Sequence, residues 1–582
     1  MGLDTGSRAA VEFDKGVEGQ WGTTPSARQL CFDLSGGREW SFQMRFLVGL
    51  GALNPGKRGT DWSRAVSLCL IAFAGVTLLF LGPIAKAQEP AATITINTQQ
   101  LGAQIPKDFL GFSNEVSDAG QGLPPVTPQA LGGPTEVPGV PLNAQRVYIL
   151  GKPDAPNTDF YEFMRNLGPG VLRLGGNSQD NTCWDLKAAP HPDWCQAAIT
   201  ADDLRLYESA ARSAGWRIVL GLNLKQNAPK WALGEGTEGV SKEIRPSDLA
   251  GLEIGNEPDL FSRGPARLQT YSPRDYVREA DAYIRAYQSD PRTRQYGFAG
   301  PAVCCGWLNP QSLDTILKGI GPSLNLVTVH NYPTTTCGDH NVTVQELLAP
   351  ELRDRFNSLS EQLVAVARRH RLPIALAETN SASCGGMAGV SNAFASALWG
   401  LEDMFDVARY GYSSIEFHFS YRQGGSAYNP VQVFGWEGAD KQRHYRNVAQ
   451  PLYYAMYLFA QGASGEHLLP SAIETRTPIR TFATTACATC DVHIFLINEE
   501  PSGVARARVH LQPQAGKASL LLLRAPDLAA LAPEVRYGGQ QFDTDGHIAA
   551  PQSVPVSPTV DGDYTLTLPS PSIGLLTVTR RD

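Results

Sequence analysis

Two glutamates stand at the ends of short apolar runs: Glu257 in Gly251-Leu-Glu-Ile-Gly-Asn-Glu-Pro258 and Glu378 in Ile374-Ala-Leu-Ala-Glu-Thr-Asn-Ser381. A strand buried on both faces of a parallel sheet reads as a nearly continuous apolar run. Its carboxyl end opens onto the face where parallel barrels hold their chemistry. Two carboxyls there suit cleavage of a glycosidic bond: one gives a proton to the departing oxygen while the other, ionised and about 5–5.5 Å away, attacks the sugar carbon. The 121 residues between them fit three strand-helix units of about 40 residues each.

The neighbours of these acids carry groups that such chemistry uses. Asn256 can bond a sugar hydroxyl beside the reacting carbon, and Pro258 turns the chain away from the strand. Val329-His330-Asn331-Tyr332 ends another apolar run and places a phenol where it can donate to the attacking carboxylate and keep it ionised. Arg173, at the end of a further run, can do the same by charge, although a structural ion pair would explain it equally well.

Eight strands must position these residues: Leu110 to Glu115, Gly170 to Gly176, Arg217 to Leu224, Leu252 to Asn256, Gly297 to Val303, Leu326 to His330, Ile374 to Glu378 and Ser414 to Phe419. Eight is the number of a closed (β/α)8 barrel, with Glu257 ending the fourth strand and Glu378 the seventh. Between the strands, Thr200, Ser272 and Thr343 each precede an acid by three residues, which marks helix starts. After Ser391, Phe394, Ala397, Leu398, Leu401, Met404, Phe405 and Ala408 recur at helical spacing and predict a helix packed on the barrel. Past residue 460 short β segments alternate with turns: Val492 to Asn498, Ala507 to Leu511, Ser519 to Arg524, Tyr564 to Leu568 and Gly574 to Thr579. They read as a sandwich, which the alternating Ala92 to Asn97 can join. The expected fold class is therefore α/β, a TIM barrel at 104–455 with a β-sandwich at 456–582 and an N-terminal strand at 88–103.

Lys57, Arg58 and Arg64, the apolar stretch Ala65 to Leu81 and the Ala85-Lys86-Ala87 site are ordered as in a secretory signal. A membrane anchor is the alternative, because the run approaches the roughly 18 residues needed to span. With a later Met44, residues 1–87 are read as an N-terminal extension and signal, and the protein as secreted or periplasmic. The remainder carries 40 Lys and Arg against 50 Asp and Glu, a net charge of −10 that argues against a nucleic-acid partner. It also carries eight cysteines, an even number that suits disulfides after export. Cys183 and Cys195 enclose a short loop, and Cys487-Ala-Thr-Cys490 reads as a local bridge because a zinc site would need a second pair.

Five motifs, Gly111 to Glu115, Leu172 to Asn177, Gly255 to Pro258, His330 to Tyr332 and Ala377 to Ser381, make residues 92–582 resemble the family 79 glycoside hydrolases, the β-glucuronidase and heparanase group. The resemblance implies a barrel with appended sandwich, retention of anomeric configuration, Glu257 as acid/base and Glu378 as nucleophile. It further implies Glu115, Asn177, Asn256, Tyr332 and Tyr428 as sugar contacts, Tyr428 being one of two tyrosines that hold a uronate carboxylate. Arg173, His330 and Ser383 are supporting residues. The chain departs from the pattern at Ser383, where the family usually carries the second of those tyrosines, before Cys384-Gly385-Gly386. Cys384 lies in a loop adjacent to the one holding Cys337, so a bridge there can reshape the pocket.

The implied activity is an exo-acting β-glucuronidase on glycosides or oligosaccharides, with no cofactor, no metal and no stable membrane partner after signal removal. Alternatives are a neutral-sugar β-glycosidase of the same clan, an endo-acting enzyme on a glucuronate polymer, or a non-catalytic carbohydrate-binding protein.

Overall fold

A computed structural model describes residues 90–116, 145–146, 148–187, 190–338, 340–419, 427–512 and 516–580. The targeting segment and the whole of 1–87 lie outside the described residues. Ala87–Asp582 is one compact unit.

Eight parallel strands close into a barrel: Leu110–Glu115, Val171–Gly175, Arg217–Leu222, Leu249–Ile254, Phe298–Val303, Leu324–Asn331, Ile374–Thr379 and Ser414–Phe419. They are the eight segments expected from the sequence, in chain order around the ring. The main differences lie at the carboxyl ends. The fourth strand stops at Ile254, two residues short of Asn256, because Gly255 and Glu257 both take left-handed backbone, at φ +84° and +46°. Arg173 sits in the middle of the second strand and not at its end, so its side chain is wholly buried in the barrel.

The helix starts follow their capping residues. Thr200 accepts from the Asp203 backbone N–H, and the Asp203 carboxylate accepts from the Thr200 N–H in return. Ser272 and Asp275 form the equivalent pair before Pro273–Ser289, and Thr343 caps Val344–Leu347. Such caps satisfy donors that a helix start leaves open.

Between the eighth strand and its helix the chain inserts a hairpin, Val431–Glu437 with Arg443–Ala449, which also pairs with Gln145–Arg146. The helix that follows, Pro451–Gly462, runs through residues 455 and 456, and the strand-rich segment comes after it.

That segment forms two sheets. One orders Ser471–Thr475, Ala92–Asn97, Val504–Gln512 and Tyr564–Pro569, so the N-terminal strand does join the sandwich, flanked on both sides. The other is built on Ile479–Thr485, Val492–Asn498, Ser572–Val578 and Ala518–Arg524. Ile94, Ile96, Ile494, Leu496, Val509 and Leu566 fill the space between the sheets.

The helix Phe394–Tyr410 is apolar on more than the face that the spacing identified. It is buried nearly all round, and Phe405, which the spacing put on the barrel face, packs instead on the sandwich and the last helix: its ring lies 4.4 Å from Phe482 and 4.8 Å from Phe495 in the sandwich and 4.9 Å from Phe459 in Pro451–Gly462. Barrel and sandwich therefore share one hydrophobic cluster. Replacing Phe405 with alanine should lower stability by about 3–5 kcal/mol through lost burial and an unfilled cavity. Replacing the exposed Leu268 in the same way should change little. Urea unfolding of both variants checks this.

Candidate active site

Arg173 reaches up the barrel and bonds four groups at once. Its Nε donates to Glu253 at 2.8 Å, one terminal nitrogen donates to Glu378 Oε2 at 2.7 Å and Ser113 at 2.9 Å, and the other donates to Asn256 Oδ1 at 2.9 Å. A permanent cation without solvent must be paired, and here two buried carboxylates balance it.

Glu378 occupies the seventh strand and receives Tyr332 Oη on Oε1 at 2.9 Å. The imidazoles of His330 and His418 each come within 3.8 Å of Oε2. Burial pushes its pKa up, but the charges of His418 and Arg173, that of His330 once acid protonates it, and the Tyr332 hydrogen bond win, and the carboxyl is held far below the usual range.

Glu257 has no comparable set of donors. It caps a 3-10 turn, Pro258–Arg263, with its own backbone in the left-handed region, and its N–H donates to Ala302 O on strand five at 2.9 Å. A bulky residue there is strained, by on the order of 1–3 kcal/mol, and the strain aims the side chain across the mouth. Burial, then the charges of Glu378 and Asp259, push its carboxyl up to about 8. His330, driven down to about 4 chiefly by burial, is uncharged at neutral pH with Nδ1 3.1 Å from Glu257 Oε1. A protonated Glu257 can donate to that nitrogen. Single ligand atoms of Glu257, His330 and Glu378 all lie within 4.8 Å of one another, so the two carboxyls come close together from opposite strands.

Around this pair the structure gathers most of the other expected residues. Asn256 Nδ2 donates to Asn177 Oδ1 at 3.4 Å. Glu115 Oε2 accepts from Ser178 N–H at 2.6 Å, and the bend that allows this requires Gly176, at φ +71°, where an added Cβ would meet that oxygen at 2.5 Å. The Tyr428 ring stacks on Tyr332 with centroids 6.4 Å apart and meets His418 edge-on. Ser383 is turned elsewhere: its hydroxyl donates to Thr335 Oγ1 at 2.7 Å beside the Cys337–Cys384 disulfide, which straps the two loops together. Cys183–Cys195 and Cys487–Cys490 are also bridged.

Three residues of the network escape the sequence reading. His418 lies inside the eighth strand, with Nδ1 3.0 Å from Ser113 Oγ and Nε2 3.8 Å from Glu115. Burial would discharge it, but the Glu378 and Glu115 charges raise its pKa overall. Ser113 and Glu253 are likewise wholly buried in the barrel. The available signal was a polar residue at every second place of an apolar strand, Phe417-His418-Phe419 and Leu252-Glu253-Ile254.

No protein-family model matches the chain. A β-glucuronidase of Aspergillus niger is 27% identical over 337 residues, 52% of this chain and 60% of the relative. A heparanase of Gallus gallus is 26% identical over 321 residues, 46% of this chain and 59% of the relative. The matches thus span about three fifths of those relatives' length. Among solved structures, a 4-O-α-L-rhamnosyl-β-D-glucuronidase of Fusarium oxysporum superposes with a TM-score of 0.62 at 16% identity, covering 84% of this chain and all of that one. A family 51 arabinofuranosidase of Xanthomonas axonopodis pv. citri superposes with a TM-score of 0.58 at 14% identity, also over 84% of this chain and all of that one. Both share the barrel fold with an added β domain. These likenesses to β-glucuronidases and a heparanase support the resemblance to the family 79 glycoside hydrolases that the sequence motifs carry.

Proposed function

We propose that the chain is an exported, retaining, exo-acting β-glucuronidase in which Glu378 is the nucleophile and Glu257 the acid/base. The observation that carries this reading is the opposed protonation of two carboxyls that come close together, Glu378 held ionised and Glu257 held protonated.

In the first step a Glu378 oxygen bonds to the anomeric carbon as the bond to the leaving oxygen breaks, and the Glu257 proton passes to that oxygen. In the second, the Glu257 carboxylate takes a proton from water, the water oxygen bonds to the same carbon, and Glu378 departs as carboxylate. Two displacements restore the starting configuration. Asn256, held by Arg173, is placed to bond the hydroxyl next to the reacting carbon. Glu115 and Asn177 serve the remaining hydroxyls.

The named activity of the relatives, and Tyr428 stacked on Tyr332, support glucuronate as the sugar. One observation favours a second reading. Ser383 spends its hydroxyl on Thr335, so the position where the family usually holds a second carboxylate-binding tyrosine offers little to a uronate, and a neutral-sugar β-glycosidase is the alternative. Three disulfides suit the oxidising compartment that export provides.

A panel of aryl β-glycosides on the purified chain separates the readings: the glucuronide should be the best substrate, and a faster glucoside would replace it. Glu378→Ala should abolish turnover, with azide restoring part of it as a glycosyl azide of inverted configuration; near-normal hydrolysis by that variant rules out the nucleophile. Glu257→Ala should lower kcat/KM by roughly 10²-fold or more for substrates with poor leaving groups while sparing kcat/KM for good ones, whose turnover then becomes limited by the second step.

The pH profile follows from the same pair. In the free enzyme kcat/KM should fall as pH rises through about 8, where Glu257 loses its proton. Glu378 should impose no loss until well below the ordinary carboxylate range. An alkaline limb that persists unchanged in Glu257→Ala would assign it to another group.

A further inference from the structure

Six of the eight cysteines after Lys86 are bridged, and Cys304 and Cys305 are left as thiols. They follow each other directly after strand five, with Sγ atoms 2.6 Å apart, far closer to the 2.03–2.05 Å of a disulfide bond than sulfurs without a bond approach. Cys305 is exposed and Cys304 half-buried.

The pair is tied to the loop that carries Glu257. Asp259, two residues beyond Glu257, accepts the backbone N–H of Cys305 at 2.8 Å, of Trp307 at 3.3 Å and of Cys304 at 3.4 Å. Glu257 itself donates its N–H to Ala302, two residues before Cys304.

We propose that Cys304 and Cys305 are a reversible oxidation site beside Glu257, closing to a vicinal disulfide by exchange with a small disulfide oxidant such as oxidised glutathione.

The chemistry has distinct parts for the two sulfurs. Cys304 S–H donates to Cys305, which lowers the Cys305 pKa and raises that of Cys304. The exposed Cys305 thiolate attacks one sulfur of the oxidant and expels one thiolate. Cys304, losing its proton, then attacks Cys305 Sγ and expels the second. The protein gives up two electrons and two protons, and the oxidant leaves as two thiols.

Closure has a local consequence. The Cys304–Cys305 peptide enters an eight-membered ring, so the N–H groups that Asp259 holds beside Glu257 must reorient. Neither sulfur is among the hydrogen-bond partners of Glu378. The effect on rate rests on Glu257 acting as the acid, as proposed above, and should therefore fall on substrates that need a proton.

The test uses the full chain, equilibrated with reduced or oxidised glutathione, alkylated with iodoacetamide and read by intact mass and peptide mapping. The reduced chain should take up two alkyl groups, at Cys304 and Cys305. The oxidised chain should take up none there, and the peptide holding both should be lighter by two hydrogens. Oxidation should slow a glycoside with a poor leaving group by roughly threefold or more, dithiothreitol should restore it, and Cys305→Ser should remove the response. Two thiols that remain alkylatable, a glutathione adduct that never closes, or an unchanged response in Cys305→Ser would overturn the proposal. Because the mass readout needs no turnover, a ring that forms in a chain inactive on every glycoside would sink the glucuronidase reading and leave the oxidation site standing.

Discussion

The buried guanidinium of Arg173 fixes the geometry of the whole site. A cation enclosed in a barrel can persist only if its donors are met by anions and oxygens, and those partners must then stand where the guanidinium plane points. Glu253 takes the lower edge, Glu378 and Ser113 one upper corner, Asn256 the other. Two glutamates against one arginine leave an excess negative charge in the interior, which His418 offsets by holding a proton more tightly than an ordinary imidazole. Moving any member leaves a charge or a lone pair unmet at a cost of several kcal/mol, so the network has little freedom to relax.

The architecture was largely legible because its signals are local. Apolar runs at intervals of about 40 residues, caps with an acid three residues on, and alternating segments past residue 460 each reflect one element's burial or hydrogen bonding, and the folded chain keeps them. What escaped depends on partners distant in sequence. Ile479–Thr485 carries threonines and an arginine between its few apolar residues, and it becomes a strand because the sandwich and Phe405 supply its neighbours. The acid-rich stretch Glu402 to Asp406 looks like the solvent side of a helix. Glu402 is instead buried between Arg353 at 2.8 Å and Arg480 at 3.0 Å, because the sandwich covers that face.

The site divides in the same way. Glu257, Glu378, Asn256 and Tyr332 sit where strand ends meet loops, so their types and positions could be read from the chain. His418, Ser113 and Glu253 lie within strands, where a polar residue among apolar ones gives no hint of which neighbour will satisfy it. The left-handed backbone of Glu257 is also invisible in sequence: Gly255 suggests a bend, but a glutamate at φ +46° runs against the extended backbone that a following proline favours, and it is the hydrogen bond to strand five that accompanies it.

Two chemically identical side chains thus reach opposite states through what surrounds them, and in the proposed reaction each state depends on the other. After burial, the largest influence holding the proton on Glu257 is the negative charge of Glu378. When Glu378 bonds to the sugar carbon that charge disappears, while Arg173 remains, now with one fewer anion to balance it. Both changes favour the ionised form of Glu257, at the moment when the second step needs a base to take a proton from water. Hydrolysis of the sugar ester restores the charge on Glu378, which raises the pKa of Glu257 again and returns it to the acid. The alternation needs no conformational change, only two carboxyls close enough for each to feel the other, and the barrel supplies that closeness by bringing strands four and seven to opposite sides of one narrow mouth.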